Sequence, residues 1–158
     1  MAIMIKLGKE SEVHIAHQLM QEAFAEYSIL EVPSSAMTES ADVLRNAWRN
    51  GEEQFIVCYE NETPVGSSRF KLLGDSLYFS RVSVSPQARG KGIAKQMLAW
   101  LEEYAQSVDR KTMTCKVRSS LESNVRLYKS IGFSIIEEGA IVNPNGFLVE
   151  TAVMEKKL

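Results

Sequence analysis

Arg81-Val82-Ser83-Val84-Ser85-Pro86-Gln87-Ala88-Arg89-Gly90-Lys91-Gly92-Ile93-Ala94 is the stretch that decides the fold. It starts as an apolar strand, stops at Pro86, and reopens through Gly90 and Gly92 into a helical stripe. That stripe carries Ile93, Ala94, Met97, Leu98, Leu101, Tyr104, Ala105 and Val108 at helical spacing, which predicts the longest helix of the chain. The turn is chemically marked as well. N–H groups in the first turn of a helix lack partners within the helix and sit at the positive end of its dipole. Gly90 and Gly92 present no side chain that would hold an anion off, and Arg89 and Lys91 add cationic donors beside them. The segment therefore predicts a phosphate-binding turn, although the same residues alone would also suit a helix start with solvated charges.

Other phosphate-binding patterns do not fit. A Walker loop needs Ser or Thr after its lysine, and Lys91 is followed by Gly92. The dinucleotide fingerprint G-x-G-x-x-G fails at Lys95, which stands where its last glycine belongs. Hydride and nucleoside-triphosphate chemistry both lose support.

Outward from this turn the pattern is regular. Upstream, Phe55–Tyr59, Pro64–Lys71 and Ser76–Val84 alternate with period two, separated by turns at Asn61-Glu62 and Gly74-Asp75, which predicts an antiparallel meander. Ile3–Leu7 predicts a first strand. Ser11 is the expected cap of a helix bearing Ala16, Leu19, Met20, Ala23, Phe24 and Tyr27. Thr38 is the expected cap of a second helix through Val43, Leu44, Ala47 and Trp48, stopping at Asn50-Gly51. Downstream come a strand at Thr112–Val117, a short helix at Asn124–Ser130, and β segments at Phe133–Glu138 and Phe147–Glu155. The order β-α-α-β-β-β-α-β-α-β-β predicts an α+β fold: a mixed, mostly antiparallel sheet of six to seven strands flanked by about four helices.

The bulk properties agree with one domain spanning residues 1–158, without linker, repeat or low-complexity tract. Hydrophobic residues make up 45% and charged residues 24%, as in ordinary globular proteins. A net charge of −2 offers no basic field for nucleic acid. The short apolar start lacks the basic flank of a signal peptide, and no run of about 18 apolar residues follows, so a cytoplasmic protein without a membrane partner is expected. Cys58 and Cys115 stand alone in strand segments and are expected to be buried, reduced thiols. His14 and His17 have no third ligand, so no metal site is expected.

Val84-Ser-Pro-Gln87-Ala-Arg89-Gly90-Lys-Gly92-Ile-Ala94 resembles the Q/R-x-x-G-x-G/A signature of the GNAT superfamily of acyl-CoA N-acyltransferases. Asn124-Val-Arg-Leu127-Tyr128-Lys-Ser-Ile-Gly132-Phe133 resembles the second motif of that family, and the order of elements is similar to its fold from end to end. The resemblance implies acetyl-coenzyme A as co-substrate and direct transfer of its acetyl group to an amine of a small molecule or peptide, with a homodimer allowed. It implies that the main chain of Val82, Ser83 and Val84 holds the pantetheine arm. The N–H groups from Gln87 through Arg89, Gly90, Lys91, Gly92, Ile93 and Ala94 would hold the pyrophosphate, at the place the helix-terminus argument reached from the residues alone.

Further roles follow from the same likeness. Tyr128 stands at the position of the general acid, and a phenol with an ordinary pKa near 10 keeps its proton for a leaving thiolate near 8.5. The alternative is a packed aromatic beside Leu127 and Phe133. Asn124 would contact the pantetheine, cap the short helix, or do both. An N–H near Val82 would stabilise the developing oxyanion. Glu26 and Glu31 border the expected acceptor site, where a carboxylate or a water chain would take the amine proton. The Ser28–Met37 loop and the Ala140–Gly146 connection, with Asn143 and Asn145, are expected to shape the acceptor pocket. Two alternatives stay open: the same fold with another acyl-CoA, and an acyl-CoA-binding sensor or interaction module without turnover.

Overall fold

The computed structural model describes residues 2–25, 39–142 and 146–158. Its strands are β1 (Ile3–Leu7), β2 (Gln54–Glu60), β3 (Thr63–Leu73), β4 (Ser76–Val84), β5 (Thr112–Arg118), β6 (Ser134–Val142) and β7 (Leu148–Lys157). Its α-helices are α1 (Val13–Phe24), α2 (Ala41–Arg49), α3 (Ile93–Ser107) and α4 (Glu122–Ser130), with 3-10 turns at Glu10–Glu12 and Pro86–Ala88. The strands form one sheet in the order β1-β2-β3-β4-β5-β7-β6. Between β4 and β5 the register is parallel and covers Ser76↔Thr112, Leu77↔Met113 and Tyr78↔Thr114. The β1–β2, β2–β3, β5–β7 and β6–β7 pairs are antiparallel. The expected α+β fold is the observed one, and its order of elements is the one the periodicities predict.

The chain divides into two compact units, Met1–Lys71 with Phe79–Leu101, and Leu72–Tyr78 with Glu102–Leu158. In the first unit, β2 departs from simple alternation: Phe55, Ile56, Val57 and Cys58 are all buried. Helices on both faces of the strand account for this. Phe55 and Val57 join Val13, Ala16 and Leu19 of α1 and Leu44 of α2 in one core cluster. The opposite face belongs to α3, because a Cβ added at Gly66 of β3 would meet Ile93 Cγ2 at 3.0 Å and Met97 Cε at 3.1 Å. Glycine at this position lets the helix lie close to the strand without displacing those side chains.

In the second unit, β5 keeps the period of two, with Met113, Cys115 and Val117 buried and Lys116 exposed. Its cross-strand partner for Cys115 is Met154 of β7, also buried. Lys156 of β7 reaches Glu102 of α3 at 3.1 Å. β6 is the outer strand of the sheet, and most of its residues are exposed. Cys58 and Cys115 are buried free thiols as expected, and burial pushes them up to about 11 and about 12.

Several helix ends differ from expectation for local reasons. Ser11 caps nothing. It lies inside the 3-10 turn that precedes α1, and Glu12 closes the turn by accepting the Lys9 N–H at 3.0 Å. Ser40 holds the N-cap position of α2, while Tyr27 and Thr38 lie outside the described residues. α3 starts at Ile93 because Gly90 and Gly92 have positive φ, and it ends at Ser107, before Asp109 at φ 60°. Val108 therefore falls just outside the helix, although its N–H still reaches the Tyr104 carbonyl at 3.2 Å.

Glu12 is the polar anchor of the N-terminal edge. Besides the Lys9 N–H, its buried carboxylate accepts the Tyr59 hydroxyl and pairs with Lys6 Nζ at 3.2 Å. Burial pushes its pKa up, but the bonds from Tyr59 and Lys9 and the charge of Lys6 outweigh that and leave it below the ordinary value. Burial and this neighbour push Tyr59 up to about 12. A carboxylate with a lowered folded pKa contributes stability above its unfolded pKa and loses it as pH falls through the folded one. Glu12→Gln should destabilise the fold by about 1–3 kcal/mol at pH 7, and the gap to wild type should close below pH 4.5, as read from urea unfolding at a series of pH values.

Candidate functional site

The quoted strand, turn and helix are held by their own short-range bonds. Ser85 N–H bonds to the Val65 carbonyl at 2.8 Å, which fastens the end of β4 to β3. Ser85 Oγ donates to Gln87 Oε1 at 2.6 Å, and Ala88 N–H bonds to the Ser85 carbonyl at 2.8 Å, so the 3-10 turn folds back on the strand end. Ala88 is buried, whereas Gln87, Arg89, Gly90, Lys91 and Gly92 are exposed. Gly90 and Gly92 have φ of 81° and 75°, with nothing within 4 Å of where a Cβ would stand. The open side of the turn is thus bare backbone.

Gln96 N–H makes the first i→i−4 bond of α3, to the Gly92 carbonyl at 3.0 Å. The N–H groups of Ile93, Ala94 and Lys95 precede it and have no carbonyl four residues back within the helix. They stand at the positive end of a 15-residue helix dipole. Such an N-terminus can hold an anion.

The two cations of the turn already have partners. Arg89 Nη2 donates to the Ala23 carbonyl at 3.0 Å, at the last turn of α1. Lys91 Nζ lies 3.0 Å from Glu60 Oε1 and 3.4 Å from Oε2, at the end of β2. Both charges sit beside the turn as expected, but both would act on a ligand from within these contacts.

β4 itself is irregular. Arg81 has φ 53°, a left-handed conformation that costs about 1–2 kcal/mol for a residue with a Cβ. Ser83, buried, donates its hydroxyl to the Arg81 carbonyl at 2.9 Å, and Val82 and Val84 are half-buried. The Arg81 guanidinium pairs with Glu39 Oε2 at 3.2 Å. Glu39 Oε1 pairs with Arg69 Nη1 of β3 at 2.7 Å, and Arg69 in turn lies 3.9 Å from Glu53 Oε1. Arg69, with a side chain only 7% exposed, also reaches Met20 Sδ at 3.5 Å. Burial lowers the Arg81 pKa, and Glu39 pulls it back up; burial raises that of Glu53 against the pull of Arg69.

This ionic group was not legible in the sequence. Arg69 and Arg81 stand in strands otherwise read from apolar alternation, and Glu39 is 30 residues from Arg69. His17 of α1 contacts the Glu39 carbonyl through Nε2 at 2.8 Å. Among the described residues no three His, Cys, Asp or Glu side chains gather as a metal site would need.

In the second unit Tyr128 is buried on α4, and its ring lies 5.9 Å from that of Phe133 at 59°. The Phe133 N–H returns to the Tyr128 carbonyl at 3.0 Å, closing the helix end through Gly132. Asn124 does not cap α4. The N-cap position is Leu121, and the Asn124 N–H bonds to its carbonyl at 3.1 Å, because the helix starts at Glu122, earlier than its apolar pattern suggests. Glu26 and Glu31, the 28–37 loop, Asn143 and Asn145 lie outside the described residues.

The family profile described as "Acetyltransferase (GNAT) family" matches residues 15–133, three quarters of the chain. The chain belongs to this family. The matched span holds the phosphate-type turn and Tyr128 alike, so the two motifs fall within one GNAT sequence pattern. No curated protein sequence matches significantly.

Solved structures carry the same fold at low identity. The PaiA N-acetyltransferase of Thermoplasma acidophilum, in complex with coenzyme A, is similar with a TM-score of 0.80, 17% identity and 100% of both chains covered. The ribosomal-protein-S18-alanine N-acetyltransferase of Escherichia coli is similar with a TM-score of 0.75 and 18% identity, covering 99% of this chain and 94% of that one. A ribosomal-protein-alanine N-acetyltransferase of Brucella melitensis gives 0.75 at 21% identity, covering 98% and 99%. No helix among the described residues of this GNAT acetyltransferase is long and apolar enough to cross a membrane.

Gly90→Ala and Gly92→Ala should each destabilise by about 1–2 kcal/mol in urea unfolding, although neither Cβ meets an atom, because the strain lies in the positive φ. No loss in either would mean that the turn can take another shape.

Proposed function

We propose that this GNAT acetyltransferase works as one domain over residues 1–158, in the cytoplasm, and transfers an acetyl group from acetyl-coenzyme A directly to the amine of a small molecule or peptide. The observation that carries the reading is the bare turn before α3. Gly90 and Gly92 at positive φ open onto empty space, and the amides that follow precede the first helical bond. A pyrophosphate matches that chemistry. The coenzyme A in the similar Thermoplasma structure supports the choice of cofactor.

In this reading the N–H groups of Gln87, Arg89, Gly90, Lys91, Gly92, Ile93 and Ala94 hold the pyrophosphate. The main chain of Val82, Ser83 and Val84 holds the pantetheine arm, with Asn124 as a further contact. When bound, acetyl-coenzyme A supplies an activated thioester. The amine attacks its carbonyl carbon, the C–N bond forms, the C–S bond breaks, and an amine proton passes to water. The Val82 N–H would bond to the carbonyl oxygen as it gains charge. Tyr128 gives its hydroxyl proton to the departing sulfur and recovers one from solvent. Its ring is buried and packs against that of Phe133.

Coenzyme A release, followed with a thiol reagent over a panel of amines, polyamines, amino acids and peptides, tests the reading. Wild type should show amine-dependent release, and Tyr128→Phe should lower kcat by about 10²–10⁴-fold with little change in cofactor affinity. Tight acetyl-coenzyme A binding without release for any amine would favour a sensor, and absence of binding would overturn both.

A further inference from the structure

We propose that Arg81 is a positioning residue for the acyl donor: its ion pair with Glu39, buttressed by Arg69, holds β4 in the left-handed kink that orients the main chain of Val82–Val84. The proposal rests on the reading that this main chain carries the pantetheine arm.

An arginine in the left-handed region inside a strand is sterically unfavourable, and a kink of this kind persists only where surrounding contacts over-determine it. The contacts here come from two directions. The Ser83 hydroxyl holds the Arg81 carbonyl from the chain side at 2.9 Å. From the side-chain direction Glu39 holds the guanidinium at 3.2 Å, and Glu39 is itself fixed by Arg69 at 2.7 Å. Glu39 immediately precedes the N-cap of α2, and its carbonyl is met by His17 of α1, so the anchor of the kink is tied to both helices.

Geometry makes Arg81 matter to its neighbours. A left-handed residue rotates the peptide that follows it, so the Val82 N–H and the carbonyls beyond it point where regular strand geometry would not send them. Released from Glu39, Arg81 would favour an ordinary extended conformation, and the donors offered to the ligand would move while the strand remained folded.

The group is more than a stabilising pair. Arg69 is nearly enclosed and Glu39 is shared by two guanidiniums, an arrangement that costs desolvation and is weak as a source of stability alone. It does fix one geometry. Glu39 Oε2 makes no hydrogen bond in spite of its burial, and its ion-pair contact with Arg81 is what compensates it.

The test measures equilibrium binding of coenzyme A by calorimetry to wild type, Glu39→Gln, Arg81→Ala, the double variant and Arg81→Lys, each with its urea midpoint. Glu39→Gln and Arg81→Ala should each weaken binding by about tenfold, and the double variant by no more than either, because both remove one coupling. Arg81→Lys keeps the charge and should recover most of the affinity. Unchanged coenzyme A affinity in folded Glu39→Gln and Arg81→Ala, with only the urea midpoint lowered, would overturn the proposal and leave the acetyltransferase reading intact. Additive losses in the double variant would also overturn it. Failure of wild type to bind coenzyme A would instead overturn the functional reading itself. If Arg81→Ala does not fold, Glu39→Gln, which keeps the shape of the side chain, decides alone.

Discussion

The amide groups at the start of α3 have no carbonyl to bond to within their own helix, and the arrangement around them follows from that deficit. A helix must leave its first N–H groups to water, to a cap or to a ligand. Here no Ser, Thr, Asp or Asn side chain stands in the capping position, because Gly92 occupies the residue before Ile93. The helix behind them has to be rigid for these donors to stay in register. Ile93, Met97, Leu98, Leu101 and Ala105 are buried along one stripe, and Gly66 allows the N-terminal half of α3 to sit against β3. Removing the glycines would thus disturb both the donors and the platform that carries them.

The two cations beside the turn are each held by a contact within the protein. Arg89 is tied to the carbonyl end of α1, where the dipole is negative, and Lys91 to the carboxylate of Glu60. Both contacts restrict long side chains that would otherwise be free to sample many rotamers. Within the same unit, Arg69, Arg81, Glu39 and Glu53 put two charges of each sign into a partly closed space where a single one would be costly. The kink at Arg81 and the turn at Gly90 and Gly92 are alternative solutions to one steric problem. The glycines tolerate positive φ through lack of a side chain, and the arginine through the contacts that side chain makes.

Much of the fold was legible because period and punctuation are local. β1 and β4 have the bounds that their alternation predicts, and the Asn61-Glu62 turn is present with both residues at positive φ. The misread ends have a common cause. Ser11 and Asn124 are residue types that cap helices, but whether they do depends on where the backbone enters the helix, and Glu12 and Leu121 hold the deciding positions. The continuous burial of Phe55–Cys58 was likewise hidden, since alternation reports one covered face and a strand between two helix layers has two.

For the site, the residues by themselves determined the glycine turn, the helix it opens, and the position of Tyr128, because each depends on contiguous sequence: a φ that only glycine takes easily, a stripe at 3.6 residues per turn, an aromatic at a fixed motif place. Tertiary structure alone decided the strand order, with β7 between β5 and β6, and the joining of Arg69, Arg81, Glu39 and Glu53. Those pairings depend on which strands become neighbours and which side chains lose water together. Neither is encoded at any fixed separation along the chain, so no reading of spacing could supply them.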